Sequence, residues 1–198
     1  MGRTKKNRNK NRKKGTKKVY SDVDFASGDG MLTSVWGPSL WHYLHTMSFN
    51  YPVKPTKQDK KSYKDFVKNL KNVLPCGYCR LNFVKNLKSV PLRALDLKNR
   101  CNFSKWMFRL HEHINKMLGK KSNLTFVKVQ ERYEHFRSRC TIDIGSKTKI
   151  VKSTKTRKKE KGCVEALYGK KSKCIIKIVP NDKKEPTFQM DDKCKKKR

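Results

Sequence analysis

Apolar residues recur at every third or fourth position from Leu32 to about Cys140, and this helical period is absent from the rest of the chain. The core therefore lies in the middle of the 198 residues, between flanks dominated by lysine. Against 51 Lys and Arg stand only 16 Asp and Glu, a formal charge of +35. A charge of that size, far outside a typical enzyme surface, resists aggregation by self-repulsion and draws the molecule to anions. The length suits one ordinary domain with a small appendix.

Five helices are predicted inside that stretch. Trp36, Leu40, Leu44 and Met47 share one face, with Trp41, His45 and Ser48 beside it. Tyr63, Phe66, Val67, Leu70, Val73 and Leu74 form a second stripe, opened by the capping signal Thr56 and Asp59 and closed by Pro75. A shorter helix starts at Cys76 and Cys79, runs through Phe83 and Leu87, and ends before Pro91. Phe103, Met107, Leu110, Ile114 and Met117 mark the fourth, with Gly119 as its stop, and Phe126, Val129, Tyr133 and Phe136 mark the fifth. Every periodic segment is helical, so the expected domain, residues 32–140, is all-α: a four-helix bundle plus one short extra helix.

The flanks read differently. Residues 1–31 are expected to be a disordered basic tail, and 141–198 a linker with a small extension. Within that extension CVEALYGKKSKCIIKIVP suggests a β-hairpin with Gly169 in its turn, and Cys163 and Cys174 read either as its staple or as a shuttle pair. No apolar run is long enough to cross a bilayer or to serve as a secretory signal, so the chain is expected to stay where it is made. Lys6 breaks the myristoylation pattern after Gly2. Charge alone gives the tail sequence-independent attraction to nucleic acid.

The chemistry concentrates in VLPCGYCRLNF, Val73 to Phe83. A zinc site would need a second pair of ligands, and neither another close cysteine pair nor a Cys/His cluster of finger spacing occurs in the folded region; His111 and His113, two apart on a helix, diverge. No metal is expected. A redox pair fits better: Pro75 ends one helix, so Cys76 opens the next, where unpaired N–H groups and the helix dipole favour a thiolate. Cys79 lies one turn deeper on the same face, within reach of a disulfide. A thioredoxin would carry this pair after a strand in an α/β fold, not between two helices.

Three segments, WGPSLWHYLHTMSFNYP from Trp36, LPCGYC from Leu74 and WMFRLHEHINKMLGK from Trp106, together resemble the Erv/ALR family of FAD-linked sulfhydryl oxidases, especially its branch in large DNA viruses. The resemblance runs from about Leu32 to Arg137 and implies a small helical bundle, usually a homodimer, with FAD against the cysteine pair. It assigns Gly37, Trp41 and His45 to the first cofactor-contacting motif. It assigns Trp106, His111, Asn115 and Lys120 to the second, with Trp106 and His111 on the adenine side and Lys120 suited to phosphate. Tyr133 stands where the family often has Trp. By the same resemblance Cys76 exchanges with substrate thiols and Cys79 faces the flavin.

Two positions depart from the pattern. Glu112 follows His111 where the family commonly has Asn, and Phe108 and Phe126 occupy the places of a frequent structural disulfide. A packed aromatic pair is expected in place of that staple. No Cys-x-x-Cys or Cys-x-Cys shuttle occurs in either flank. The resemblance thus implies direct oxidation of a thiol-bearing protein, such as a thioredoxin-like carrier, with O2 as acceptor and H2O2 as product. It places the chain in host cytoplasm or a viral factory, or packaged in a virion. The rival reading is a basic nucleic-acid-binding or virion-packaging protein with structural cysteines.

Overall fold

Residues 20–138, 163, 166–180, 182–186 and 189–196 are described by a computed structural model. Among them are α1 (Asp22–Phe25), α2 (Thr33–Phe49), α3 (Lys57–Val73), α4 (Gly77–Ser89), α5 (Arg100–Met117) and α6 (Phe126–Glu134). Helices α3 to α6 start at side chains that accept their first unpaired N–H groups, whereas α2 starts at Leu32 without one. Thr56 Oγ1 accepts from Asp59 N–H at 3.1 Å while Asp59 Oδ2 accepts from Thr56 N–H at 2.8 Å, closing a capping box on α3. Asn99 caps α5 and Thr125 caps α6 by a single bond each, accepting from Asn102 N–H and Lys128 N–H. At its other end α5 stops at Gly119, whose φ of +68° a side chain would resist.

Helix α5 packs on α2 and α4, α3 on α4, and α6 on α2. The main core joins Leu44, Val67, Leu70, Phe83, Phe103 and Trp106 from α2 to α5. Burying each such side chain stabilises the fold by roughly 1.5–3 kcal/mol. A smaller cluster of Phe49, Val129 and Tyr133, flanked by Phe108, Phe126 and Phe136, fastens α6 to α2. The expected bundle with its short fifth helix is thus present.

Three expectations need correction. Phe66 and Val73, assigned to the buried stripe of α3, are 38% and 61% exposed. Each precedes a core residue, Val67 or Leu74, by one position and so lies about 100° round the helix from it. The amino-terminal tail is not featureless throughout: residues 20–31 carry α1, and Met31 N–H donates to the Pro75 carbonyl at 2.8 Å. Residues 1–19 lie outside the described ones.

The hairpin is not formed among the described residues of its stretch. Ala166 instead makes an antiparallel bridge to Ser138, and Leu167 N–H donates to the Arg137 carbonyl at 2.8 Å. Gly169 does turn the chain at φ +65°, but against the Cys194 backbone. Ile175, Ile176 and Ile178 stay more than two-thirds exposed, so a strand there would have no face to bury. Cys163 is disulfide-bonded, yet not to Cys174, which is free and exposed. Cys101 is also an exposed free thiol, and Cys194 a half-buried one.

Candidate functional site

The cysteine pair owes its position to the proline between two helices. Pro75 cannot continue α3, and the chain turns with Cys76 N–H donating to the Leu74 carbonyl at 2.8 Å. The Arg80 guanidinium donates to the same carbonyl at 2.6 Å, pinning the first turn of α4 to the end of α3. Cys76 is the N-cap of α4, its Sγ accepting the Cys79 N–H at 3.2 Å, and the two cysteines form a disulfide with Cα atoms 5.1 Å apart. Both are half-buried, next to the 82% exposed Tyr78.

Cys79 is the member turned toward the bundle. It packs against the core, and its Sγ lies 3.8 Å from Thr33 Oγ1 in the first turn of α2. One turn on is Gly37, buried, where an added Cβ would meet the Thr33 methyl at 3.6 Å. Above these elements the segment before α2 is strapped down: Trp36 Nε1 donates to the Met31 carbonyl at 3.0 Å, and a Cβ at Gly30 would press on Cys76 and Pro75 at 3.2 Å. Thr33, Gly30 and Arg80 were not among the sequence candidates, since nothing local to them marks contact with the pair.

Four of the candidates form one layer of rings between α2, α5 and α6. Trp41 stacks on His111 with centroids 3.9 Å apart and planes within 6°. His45 Nε2 lies 2.9 Å from His111 Nδ1, and the His45 ring stacks on Tyr133 at 5.3 Å. His42, missed from the sequence although it adjoins Trp41, extends the layer: its Nδ1 is 3.3 Å from Tyr133 Oη.

Burial sets the charge state of this layer. Desolvation first, then the neighbouring His111 and His42, lower the His45 pKa from 6.5 to about 3. His111 falls to about 4, again mainly by desolvation, with Lys120 adding to the fall and Glu112 opposing it. Burial pushes the Tyr133 phenol up. At neutral pH the layer is therefore an uncharged set of hydrogen-bonding rings.

The remaining candidates lie apart from it. Trp106 is fully buried and stacks on Phe103 at 5.9 Å, so it belongs to the core and not to an open cleft. Its Nε1 and the His45 Nδ1 are the buried side-chain nitrogens left without a partner among the described residues. Asn115 turns its amide to Glu112 Oε1 at 3.1 Å, and Ser122 Oγ donates to the same oxygen at 2.8 Å. This clamp borders a groove lined by Lys116, Lys120 and Lys121, where the Lys120 N–H is held by the Asn115 carbonyl at 2.8 Å. Phe108 and Phe126 meet edge to face at 5.9 Å. Among the described residues no His, Cys, Asp and Glu cluster is placed to hold a metal, and no helix is long and apolar enough to cross a membrane.

The model of the Erv1 / Alr family matches residues 38–134. Over 104 residues the chain is 37% identical to a protein of Acanthamoeba polyphaga mimivirus named Probable FAD-linked sulfhydryl oxidase, covering 52% of this chain and 72% of that one. It is 37% identical over 84 residues to the FAD-linked sulfhydryl oxidase ERV1 of Arabidopsis thaliana, covering 42% of either chain. The crystal structure of the yeast Erv1 core overlays with a TM-score of 0.47 at 26% identity, covering 62% of this chain and 95% of that one. The chain thus spans most of the viral relative and under half of the plant one.

Proposed function

Because this chain belongs to the Erv1 / Alr family, we propose that it is an FAD-linked sulfhydryl oxidase that introduces disulfides into protein thiols. The observation that carries this reading is the half-buried Cys76–Cys79 disulfide opening α4, one sulfur at the helix start and the other turned to α2. A substrate thiolate attacks Cys76 Sγ; the Cys76–Cys79 bond breaks and the electron pair leaves on Cys79 as thiolate. A second substrate thiolate then attacks the substrate sulfur of the mixed disulfide and expels Cys76 as thiolate. The substrate is oxidised by two electrons and the cysteine pair reduced by two, with the α4 N-terminus stabilising the charge on Cys76.

The residues fit a flavin nucleotide. The buried His45 Nδ1, in the ring layer, lacks a partner, and Gly37, one turn along α2 from the Thr33 that lies against Cys79, leaves space that a Cβ would take. Gly37, Trp41, His45, His111 and Tyr133 would hold the ring systems, and Trp106 would back them from the core. Lys120 would face phosphate, while Asn115, already engaged by Glu112, would act on the loop. The chemistry supplied there by bound FAD is two-electron oxidation of the dithiol, with O2 as acceptor and H2O2 as product.

The protein works as a homodimer in host cytoplasm or a viral factory, or packaged in a virion; the dimer is supported by Tyr43 and Val73, exposed on α2 and α3. Its substrate is a thiol-bearing protein such as a thioredoxin-like carrier, met directly at Cys76. The test is the visible spectrum of the purified protein with oxygen uptake on dithiothreitol, for wild type and Cys79→Ala. A flavin band with uptake lost in the variant is expected. A colourless protein that does not bind added FAD overturns the reading.

A further inference from the structure

Helix α3 carries lysine at 57, 61, 64, 68 and 71, and this spacing of four, three, four and three residues keeps all five on one face. All are exposed, and they line about 21 Å of helix. The core-facing side of the same helix is set by Val67 and Leu70. Among the described residues only Lys61 has an ionic partner in this row, Asp65 at 2.8 Å, on an exposed pair that contributes little. Asp65 also attracts Lys64 and Lys68, so one carboxylate faces three ammonium groups of a row of five, and the row keeps a net positive charge. Folding alone gives no reason to align them.

Beside the row runs a shallow groove lined by Asp65, Phe66, Lys68, Asn69, Lys71 and Asn72. It offers amide donors next to the ammonium groups. Asn72 Nδ2 donates to Asn69 Oδ1 at 2.9 Å, which orients the two amides as a unit.

We propose that the lysine face of α3 is a binding site for the phosphate backbone of nucleic acid. A row of point charges matches a chain of phosphates without reading its bases, and neighbouring amides suit phosphate and sugar oxygens. A membrane surface fits less well, since Gln58, Ser62, Asn69 and Asn72 flank the row and no large apolar side chain lies within it to enter the lipid boundary. The site lies on α3 and shares no residue with the amino-terminal segment, which has ten Lys or Arg and no Asp or Glu between Gly2 and Lys18. That segment adds long-range attraction; the ridge adds a fixed contact. Neither depends on the oxidase reading.

The test is fluorescence anisotropy with a labelled single strand of about 20 nucleotides of oligo-dT, across a salt series near 0.15 M. Three full-length forms are compared: wild type, the variant Lys57→Gln, Lys64→Gln, Lys68→Gln and Lys71→Gln, and a variant with every basic residue between Gly2 and Lys18 changed to Gln. Gln keeps helix propensity, and far-UV circular dichroism with a thermal melt checks the fold. The ridge variant is expected to bind about tenfold more weakly, with its log–log salt slope reduced by about 3. The tail variant should keep the ridge-dependent part of that slope. Equal binding by wild type and the ridge variant overturns the proposal, as does loss of all binding in the tail variant. Tighter binding to phosphatidylserine vesicles than to the oligonucleotide, with the same lysine dependence, overturns it in favour of a lipid surface.

Discussion

His45 Nε2 and His111 Nδ1 lie 2.9 Å apart, so the two imidazoles of α2 and α5 share one hydrogen bond in which one ring donates and the other accepts. That bond exists only while at least one ring is neutral. Both pKa values are depressed in the fold, to about 3 and about 4 from 6.5. The unfolded chain therefore binds protons at these groups from pH 6.5 downward while the folded protein does not. Stability is unaffected above that pH and falls as pH drops from about 6.5 toward 4. Urea midpoints at about pH 7.5 and pH 5 should differ by about 2 kcal/mol or more in unfolding free energy. A flat profile over that window would show that the rings are not buried neutral.

Gly37 separates the demands of the fold from those of the cofactor. An added Cβ meets only the Thr33 methyl, at an ordinary 3.6 Å, so Gly37→Ala should leave the FAD-free protein as stable or about 0.5–1 kcal/mol more stable through helix propensity. The same methyl group would take the space beside Thr33 that the proposed cofactor needs. Thermal melts with and without FAD should show the variant losing most of the stabilisation that the cofactor confers. Equal FAD stabilisation in both proteins would remove Gly37 from the binding surface.

Phe108 and Phe126 meet at 5.9 Å with planes 65° apart, joining α5 to the start of α6. Either Phe→Ala change should lower the melting temperature. The double-mutant cycle should give a coupling of about 0.5–1.5 kcal/mol. Phe126 also stacks on Phe49 at 6.1 Å, so Phe126→Ala should cost more than Phe108→Ala. Strictly additive single changes would mean that the two rings do not act as a staple.

Glu112 holds the loop after α5 by accepting from Asn115 and Ser122 on one oxygen. With the clamp gone, the exposed Lys120 and Lys121 become better protease targets. Limited trypsin digestion should cut Glu112→Ala there several times faster than wild type, and Glu112→Gln, which keeps an acceptor, much less so. Identical cleavage in all three would show that the loop is held by other contacts.

How much of this was legible follows from the range of each force. The five bundle helices were readable because their periods, the Thr56 and Asp59 cap, and the stops at Pro75 and Gly119 act within a few residues. The cysteine pair at a helix start was readable for the same reason: Pro75 forces the break that puts Cys76 at the N-cap. The sequence by itself thus determined the five helices of the bundle, though not α1, and that the cysteine pair opens one of them.

Only tertiary structure decided what each face meets. Trp106 and His111 read alike as one motif on one helix, yet the first is sealed in the core on Phe103 and the second stacks on Trp41 from another helix. Phe66 and Val67 are adjacent and both apolar, and the way α3 lies on α4 buries one and exposes the other. Isoleucines suited to a strand stay unpaired because the neighbouring chain bridges to Ser138 instead. Burial and hydrogen bonding between distant residues depend on where other elements stop and how they cross, which no local pattern encodes.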